Sequence, residues 1–395
     1  MSDYIKLFDT VENQLEFLIS KDYIQPHVSC TINGNNLQYN KYTKEDLELL
    51  NMPFTVEVLE EGEISWGLTN KTVYYSKNGG EWTIMTNETN IPVLEGDLIQ
   101  FKGNNLNYSG NKFKSTAKFN AKGNIMSLID GSDFVNANTI KANGFSLLFN
   151  DCTTLLSIKD LKLPATILEE YCYYSMFENC VNVKENISEL PALTLSNCCY
   201  KRMFCGCSNL IDTPNLPALN LAESCYESMF EECSNLITVS VLPANKMKPK
   251  CYYSMFAYCG NLSTSPDLPA LELAEYCYSK MFNGCSSLIK VPKILPATTL
   301  CDHCYHSMFY ECISMAVAPI LPALELAACS YEHMFWGCQN LIYVKALFLD
   351  IDSCTSWFWW MHSVARNGTF VKNSDAVWSE RDKIPSEWTI ITESV

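Results

Sequence analysis

Apolar positions recur in a fixed order along the second half of the chain. The string Cys-Tyr-x-x-Met-Phe-x-x-Cys occurs seven times between Cys172 and Cys338, once with Ser330 in place of the first cysteine. Successive copies lie 26 or 27 residues apart, and Leu-Pro-Ala follows six of them. Such a period is typical of solenoids, in which each unit buries its apolar face against its neighbours. We therefore predict a structural core formed by the motif phenylalanines Phe177, Phe204, Phe230, Phe256, Phe282, Phe309 and Phe335.

One unit predicts one helical turn and one strand. Apolar side chains at positions 225, 226, 229, 230 and 233 form one stripe of an α-helix. The segment from Leu236 to Leu242 alternates apolar and polar residues, which indicates a short strand ending before Pro243. Stacked units of this kind would have a parallel sheet on one side and helices on the other. We therefore expect a mixed α/β fold, a leucine-rich-repeat solenoid with a period of 26–27 residues.

The composite repeat also resembles a known family. The string Leu-Pro-Ala-x-x-Leu-x-x-x-Cys-Tyr-x-x-Met-Phe-x-x-Cys-x-x-Leu is similar to BspA-like leucine-rich repeats, of the kind encoded by gut Bacteroidetes and their phages. The resemblance spans roughly residues 140–395, and the segment from Gly368 to Trp388 looks like the closing segment of these proteins. It implies a role in adhesion and recognition.

The sequence before the repeats predicts two further modules. Residues 1–50 contain an amphipathic helix from Val11 to Ile19 and a hairpin from Ser29 to Tyr39, with Asn33-Gly34 at its turn. This segment resembles N-terminal segments of Bacteroides-phage structural proteins, which implies docking to other virion proteins. The alternative is a strand pair that is simply added to the following domain. Residues 51–125 contain short alternating segments that predict an immunoglobulin-like antiparallel β-sandwich. Residues 126–366 would form the solenoid, with degenerate first and last units at Phe149 and at Trp357 to Met361, and residues 367–395 a C-terminal cap.

The cysteines indicate buried free thiols rather than a disulfide framework or a metal site. Two motif cysteines eight residues apart on a helix would lie about 12 Å apart, beyond the roughly 7 Å that a disulfide allows. Cys301 and Cys304, with His306 nearby, offer only one of the two cysteine pairs that a structural zinc site usually needs. We therefore predict reduced cysteines, no metal site and no cofactor.

Charge and motif content exclude several classes of function. The formal net charge is −16 without a basic stripe, so a nucleic-acid partner is not expected. The chain contains no run of 18 apolar residues, which predicts no membrane span. No phosphate-binding loop, nucleophile elbow or metalloprotease motif is present, and neighbouring carboxylates such as Glu231 and Glu232 do not converge on one bond. We therefore predict no catalytic residues and no enzyme activity.

Comparison of the repeats shows which positions vary from unit to unit. Aromatic residues at these positions form the candidate ligand-binding surface: Tyr174, Tyr253, Tyr258, Tyr310 and Trp336. Exposed aromatics with a polar tip are typical binding anchors, for sugars among other ligands. The alternative is that they are isolated surface aromatics with no role.

These patterns lead to one functional hypothesis with two alternatives. We expect a non-enzymatic virion protein, a phage fibre or appendage assembled in the host cytoplasm as a homo-oligomer, with a trimer favoured. Its repeats would recognise a host surface protein, a glycan or a mucosal ligand. The first ten residues lack an export signal, which favours this hypothesis over a bacterial cell-surface adhesin. The second alternative is a purely architectural virion protein.

Overall fold

The computed structural model describes residues 30–33, 36–39, 43–350, 359–378 and 384–394. The described residues include two short α-helices, Lys44–Leu50 and Ser127–Asp130, and a 3-10 turn, Phe134–Asn136. The strands of the same residues are β1 Cys30–Asn33, β2 Asn36–Tyr39, β3 Thr55–Val58, β4 Gly62–Trp66, β5 Val73–Lys77, β6 Thr83–Met85, β7 Ile91–Val93, β8 Leu98–Gly103, β9 Phe113–Ser115, β10 Phe119–Asn124, β11 Thr139–Ile140, β12 Leu155–Ser157, β13 Leu161–Lys162, β14 Ile167–Leu168, β15 Tyr343–Ala346, β16 Thr369–Asn373 and β17 Thr389–Glu393. The predicted mixed α/β leucine-rich-repeat solenoid is wrong, because the chain is built mainly of strands in several separate sheets and of turns.

The two paired strands of the hairpin predicted near the N-terminus are confirmed. β1 and β2 pair antiparallel, with Cys30 opposite Tyr39 and Asn33 opposite Asn36. The predicted helix from Val11 to Ile19 lies outside the described residues.

Two sheets follow, and their aromatic side chains form one core. One sheet has the strand order β12-β10-β3-β8-β5-β6, and the other has the order β7-β4-β9. Trp66 of the second sheet lies 5.7 Å from Phe101 of the first, between ring centroids. The strand pairs of residues 51–125 are antiparallel, as the alternating segments predicted.

The first sheet continues into the repeats, so no break in the hydrophobic core separates the two regions. β10 pairs in parallel with both β12 and β13, which belong to the segment before the first full motif. The helix Lys44–Leu50 contacts β10 and β13, and Lys162 Nζ lies 2.5 Å from Asp46 Oδ1. Leu50 at the end of this helix is buried. The helix Lys44–Leu50 is therefore part of the same folded body as these strands.

The repeat motif forms a chain of turns instead of the predicted helix. In the first unit, the amides of Tyr173, Ser175 and Phe177 donate to carbonyls of the next unit at 2.9 Å each. The residues between them bond locally: the amide of Met176, for example, donates to the carbonyl of Tyr173 at 3.2 Å. Alternate amides therefore point along the stack of units. In an α-helix these amides would instead donate to the carbonyls four residues earlier in the same unit.

Every fourth residue of the motif adopts the left-handed conformation that interrupts a helix. Tyr171, Ser175 and Asn179 have φ values of 57°, 51° and 59°. The third of these positions is glycine in Gly206, Gly284 and Gly337, where positive φ carries no Cβ penalty. For the other residues each such conformation costs about 1–2 kcal/mol, which the hydrogen bonds between units offset.

The strand predicted in each unit is also wrong for the central repeats. The segment from Leu236 to Leu242 contains only an isolated parallel bridge, between Thr238 and Asp212 of the preceding unit. Similar single bridges join other consecutive units, such as Thr264 to Lys290. Neighbouring units are therefore joined mostly through their turns.

Two ladders of aromatic rings run through the stacked units, which we number one to seven by their motif phenylalanines. The motif tyrosines stack at 5.6–5.8 Å between centroids and the motif phenylalanines at 5.4–6.1 Å. All seven phenylalanines are buried, and Phe149 begins their ladder at 5.5 Å from Phe177, as the degenerate first unit predicted. Parallel stacking of this kind adds roughly 0.5–1.5 kcal/mol per pair to the burial of the rings.

The second cysteine of each motif ties its unit to the one before it. The thiol of Cys259 donates to the carbonyl of Phe230 at 3.1 Å, and the thiol of Cys285 does the same to Phe256. The same bond occurs at the other five repeats, at 3.0–3.1 Å. The eighteen cysteines from Cys152 to Cys338 form no disulfide. Burial raises the pKa of Cys259 well above its usual value, which keeps this thiol protonated as a donor.

The C-terminal strands close the stack with a small parallel sheet. β15, β16 and β17 pair in parallel in that order. Trp360 lies 5.9 Å from Phe335 and covers the end of the phenylalanine ladder. Among the helices of the described residues, none is both long enough and apolar enough to cross a membrane.

Candidate ligand-binding surface

The structure brings two of the five predicted surface aromatics together. Tyr310 and Trp336 stack at 6.0 Å with an angle of 17° between their rings. Tyr174 pairs instead with Tyr171, at 5.9 Å. The other two lie on repeat four, where the Lys280 ammonium sits 5.8 Å above the ring of Tyr253 and the side chain of Tyr258 is half-exposed.

Tyr310 and Trp336 belong to a larger group at the C-terminal end of the repeats. We call this group the aromatic strip; it consists of Tyr310, His333, Trp336, Trp359 and His362. Trp336 lies at its centre, with ring centroids 5.2 Å from Trp359, 4.6 Å from His362 and 5.4 Å from His333. Trp359 is 46% exposed, so the strip presents ring faces and edges at the surface.

The hydrogen-bond register of the repeats explains why these side chains meet. The amide of Glu311 donates to the carbonyl of Trp336 at 2.6 Å, and the amide of Gly337 donates to that of His362 at 2.8 Å. Tyr310, Trp336 and His362 therefore follow one another at equivalent positions of successive levels. Because the backbone fixes this order, the ring faces are arranged before any ligand arrives.

Sequence reasoning missed His333, Trp359 and His362. Trp359 falls in the degenerate last unit, where the motif no longer aligns, and His333 and His362 are not among the fixed residues of a sequence motif. Four of the five histidines of the chain lie within residues 303–362, and this clustering was the available signal.

A group of metal-binding side chain types lies next to the strip. A nitrogen of His303, the sulfur of Cys329 and an oxygen of Glu332 are all within 4.8 Å of one another. His306 Nε2 lies 3.7 Å from Glu332 Oε2. The pKa of His306 is lowered to about 4, mainly by burial; Glu332 opposes this shift, and the nearby His333, His303 and Lys280 add to it. This imidazole is therefore neutral at neutral pH.

The cysteine pair considered from the sequence is not part of this group. Cys304 is fully buried in the core, and burial raises the pKa of its thiol well above the usual value. The thiol of Cys301 donates to the carbonyl of Leu273 at 3.4 Å. His303 lies between the two cysteines in the sequence, and it is this residue that approaches Cys329 and Glu332 of the next repeat.

Comparisons with known proteins add no name to this surface. The chain matches no protein-family model and no curated protein.

Proposed function

We propose that this chain is a non-enzymatic structural component of a phage particle, a fibre or appendage whose repeat region binds a ligand on the host surface or in mucus. The observation that carries the proposal is the aromatic strip. The resemblance of the repeats to proteins of adhesion and recognition supports it as well.

The strip has the properties of a preorganised binding surface. Its rings are positioned by backbone hydrogen bonds between repeats, so little side-chain entropy is lost when a ligand binds. The flat face of Trp359, which is 46% exposed, suits the apolar C–H face of a sugar ring, and His333 and His362 offer polar atoms near it. Trp336 packs against Trp359 at 5.2 Å and supports that ring. Tryptophan and tyrosine are also the residues that most often dominate binding energy at interfaces.

The proposal assigns the opposite end of the chain to assembly. Residues 1–42 would dock the chain to other virion proteins, and the assembled form would be a homo-oligomer, with a trimer favoured. The helix Lys44–Leu50 is left out of this segment because it packs on β10 and β13.

Binding measurements on the full chain test the proposal. Host-cell binding and an immobilised glycan panel would be compared for the wild type, Trp336→Ala and Trp359→Ala. We expect each variant to lose at least about thirtyfold in affinity, the equivalent of roughly 2 kcal/mol for a hot-spot side chain. Trp82→Ala is the matched control, because this tryptophan is half-buried and lies before the repeats, outside the strip and outside the aromatic positions that vary among the repeats.

Two outcomes would count against the proposal. Equal binding by all four proteins would remove the strip as the recognition surface and favour a purely architectural role. Detection of the chain on bacterial cell envelopes, and its absence from purified phage particles, would favour the adhesin alternative.

A further inference from the structure

The sixth and seventh repeats carry a two-by-two array of side chains that bind transition metals. His303 and His306 lie on repeat six, and Cys329 and Glu332 lie 26 residues later at the same two positions of repeat seven. Three of them converge within 4.8 Å, and His306 contacts Glu332. We propose that these four residues bind one Zn²⁺ ion that joins the two repeats.

The donor atoms indicate which metal fits. Two imidazole nitrogens, one thiolate and one carboxylate form a borderline-soft set that suits Zn²⁺ and does not suit Mg²⁺ or Ca²⁺. Ligand bonds of about 2.0–2.3 Å around a tetrahedral ion place the donor atoms roughly 3.5 Å apart. Three donor atoms lie within 4.8 Å of one another and His306 Nε2 lies 3.7 Å from Glu332 Oε2, so the four half-buried side chains would have to rotate inward to close around an ion.

The backbone holds the four positions in place without a metal. The amide of His303 donates to the carbonyl of Ala328 at 2.8 Å, and the amide of Ser307 donates to that of Glu332 at 2.8 Å. His303 and Cys329 share the left-handed conformation, with φ values of 55° and 51°, so their side chains leave the backbone in the same way. The ring of Tyr276 stacks on the His303 imidazole at 4.4 Å and limits its rotation.

His303 of the array has a buried nitrogen atom. Its Nδ1 is shielded from solvent and has no hydrogen-bond partner among the described residues. A buried polar atom without a partner costs roughly 1–3 kcal/mol. Metal ligation at this imidazole would relieve that cost, either directly at Nδ1 or by turning the ring.

The other repeats provide an internal comparison. The residues at the first position of the array are Tyr171, Cys198, Ser224, Lys250 and Tyr276 on repeats one to five, and those at the second position are Tyr174, Lys201, Glu227, Tyr253 and Ser279. Each of the other adjacent pairs of repeats therefore includes at least one lysine, serine or tyrosine in its array. Within repeats one to seven, four metal-ligand side chains coincide at this place alone.

Zinc titration and thiol protection test the proposal on the full chain. Metal-free protein would be titrated with Zn²⁺ and then alkylated under native conditions, with labelling of each cysteine measured by peptide mass spectrometry. We expect one tightly bound zinc per chain and at least about tenfold slower labelling of Cys329 in its presence. Cys301 is also half-buried but lies outside the array, so its labelling should not change. The fully buried Cys285 should stay unlabelled throughout, which verifies that the fold is intact.

Variants then assign the ligands. His303→Gln, His306→Gln and Glu332→Gln should each weaken zinc binding by at least about tenfold, since even outer-shell changes at zinc sites cost that much. Glu325→Gln is the matched control for Glu332→Gln, because Glu325 lies on repeat seven as well, is exposed and is outside the array. Absence of stoichiometric zinc binding, equal protection of Cys301 and Cys329, or unchanged affinity in any of the three array variants would overturn the four-residue site.

Discussion

Phe256→Ala tests whether the stacked rings carry the stability of the repeats. Phe256 is 1% exposed and lies between Phe230 and Phe282, with centroid distances of 5.7 and 5.8 Å. Truncation of a buried phenylalanine typically costs about 3–5 kcal/mol in lost burial and cavity formation. Loss of two stacked contacts, each worth roughly 0.5–1.5 kcal/mol, places this position at the upper end, at about 4–5 kcal/mol.

Urea denaturation followed by far-ultraviolet circular dichroism and by fluorescence provides the assay. Most domains are stable by about 5–15 kcal/mol in total, so the change should lower the midpoint strongly or unfold the central repeats first. Tyr258→Ala is the control from the same turn, because this ring is half-exposed, and it should cost less than about 1 kcal/mol. If Phe256→Ala destabilises the protein by no more than the control does, the ladder does not carry the core.

Three other features of the chain, namely its cysteines, Asp97 and the N-terminal segment, lead to further predictions. Alkylation under denaturing, non-reducing conditions should modify nearly all 20 cysteines, and intact mass checks this; several unmodified pairs would indicate disulfides. Burial acts to raise the pKa of Asp97, but hydrogen bonds from the Lys77 ammonium, the Leu94 amide and Asn78 outweigh it and lower this pKa from 3.8 to about 2. The stability that this carboxylate contributes should therefore be present above about pH 4 and be lost as the pH falls toward 2. Asp97→Asn should be less stable at neutral pH and should lack this part of the acid dependence, and parallel acid titrations of the two proteins would disprove the assignment. Deletion of residues 1–42 should leave a folded chain that still binds host cells but is missing from assembled particles; full incorporation would show that docking lies elsewhere.

The sequence alone determined the period, the core and much of the strand content before the repeats. Buried rings at a fixed spacing of 26 or 27 residues can be read from Phe177 to Phe335 because each unit has to bury the same face against its neighbours. The hairpin of β1 and β2 could also be predicted, because a turn signal with flanking alternation is local information.

The conformation of the motif was decided by tertiary structure. Apolar pairs at 225/226 and 229/230 recur every four residues, and over so short a segment this spacing resembles the period of about 3.6 residues of a helix. The units instead exchange backbone hydrogen bonds at alternate residues, and these bonds exist only when neighbouring units are already stacked. The sequence of one unit does not show whether its amides form hydrogen bonds within that unit or with the next one, so the conformation of the motif could not be predicted from it.

The two candidate sites depend on tertiary structure for the same reason. His303 and Cys329 are 26 residues apart in the chain, and Trp336 meets Trp359 only where the repeat pattern has lapsed. Residue type and repeat position were available from the sequence. Their convergence came from the stacking register, which brings equivalent positions of neighbouring units side by side. Variable side chains at these positions can then form a site where neighbouring units carry side chains that bind the same ligand.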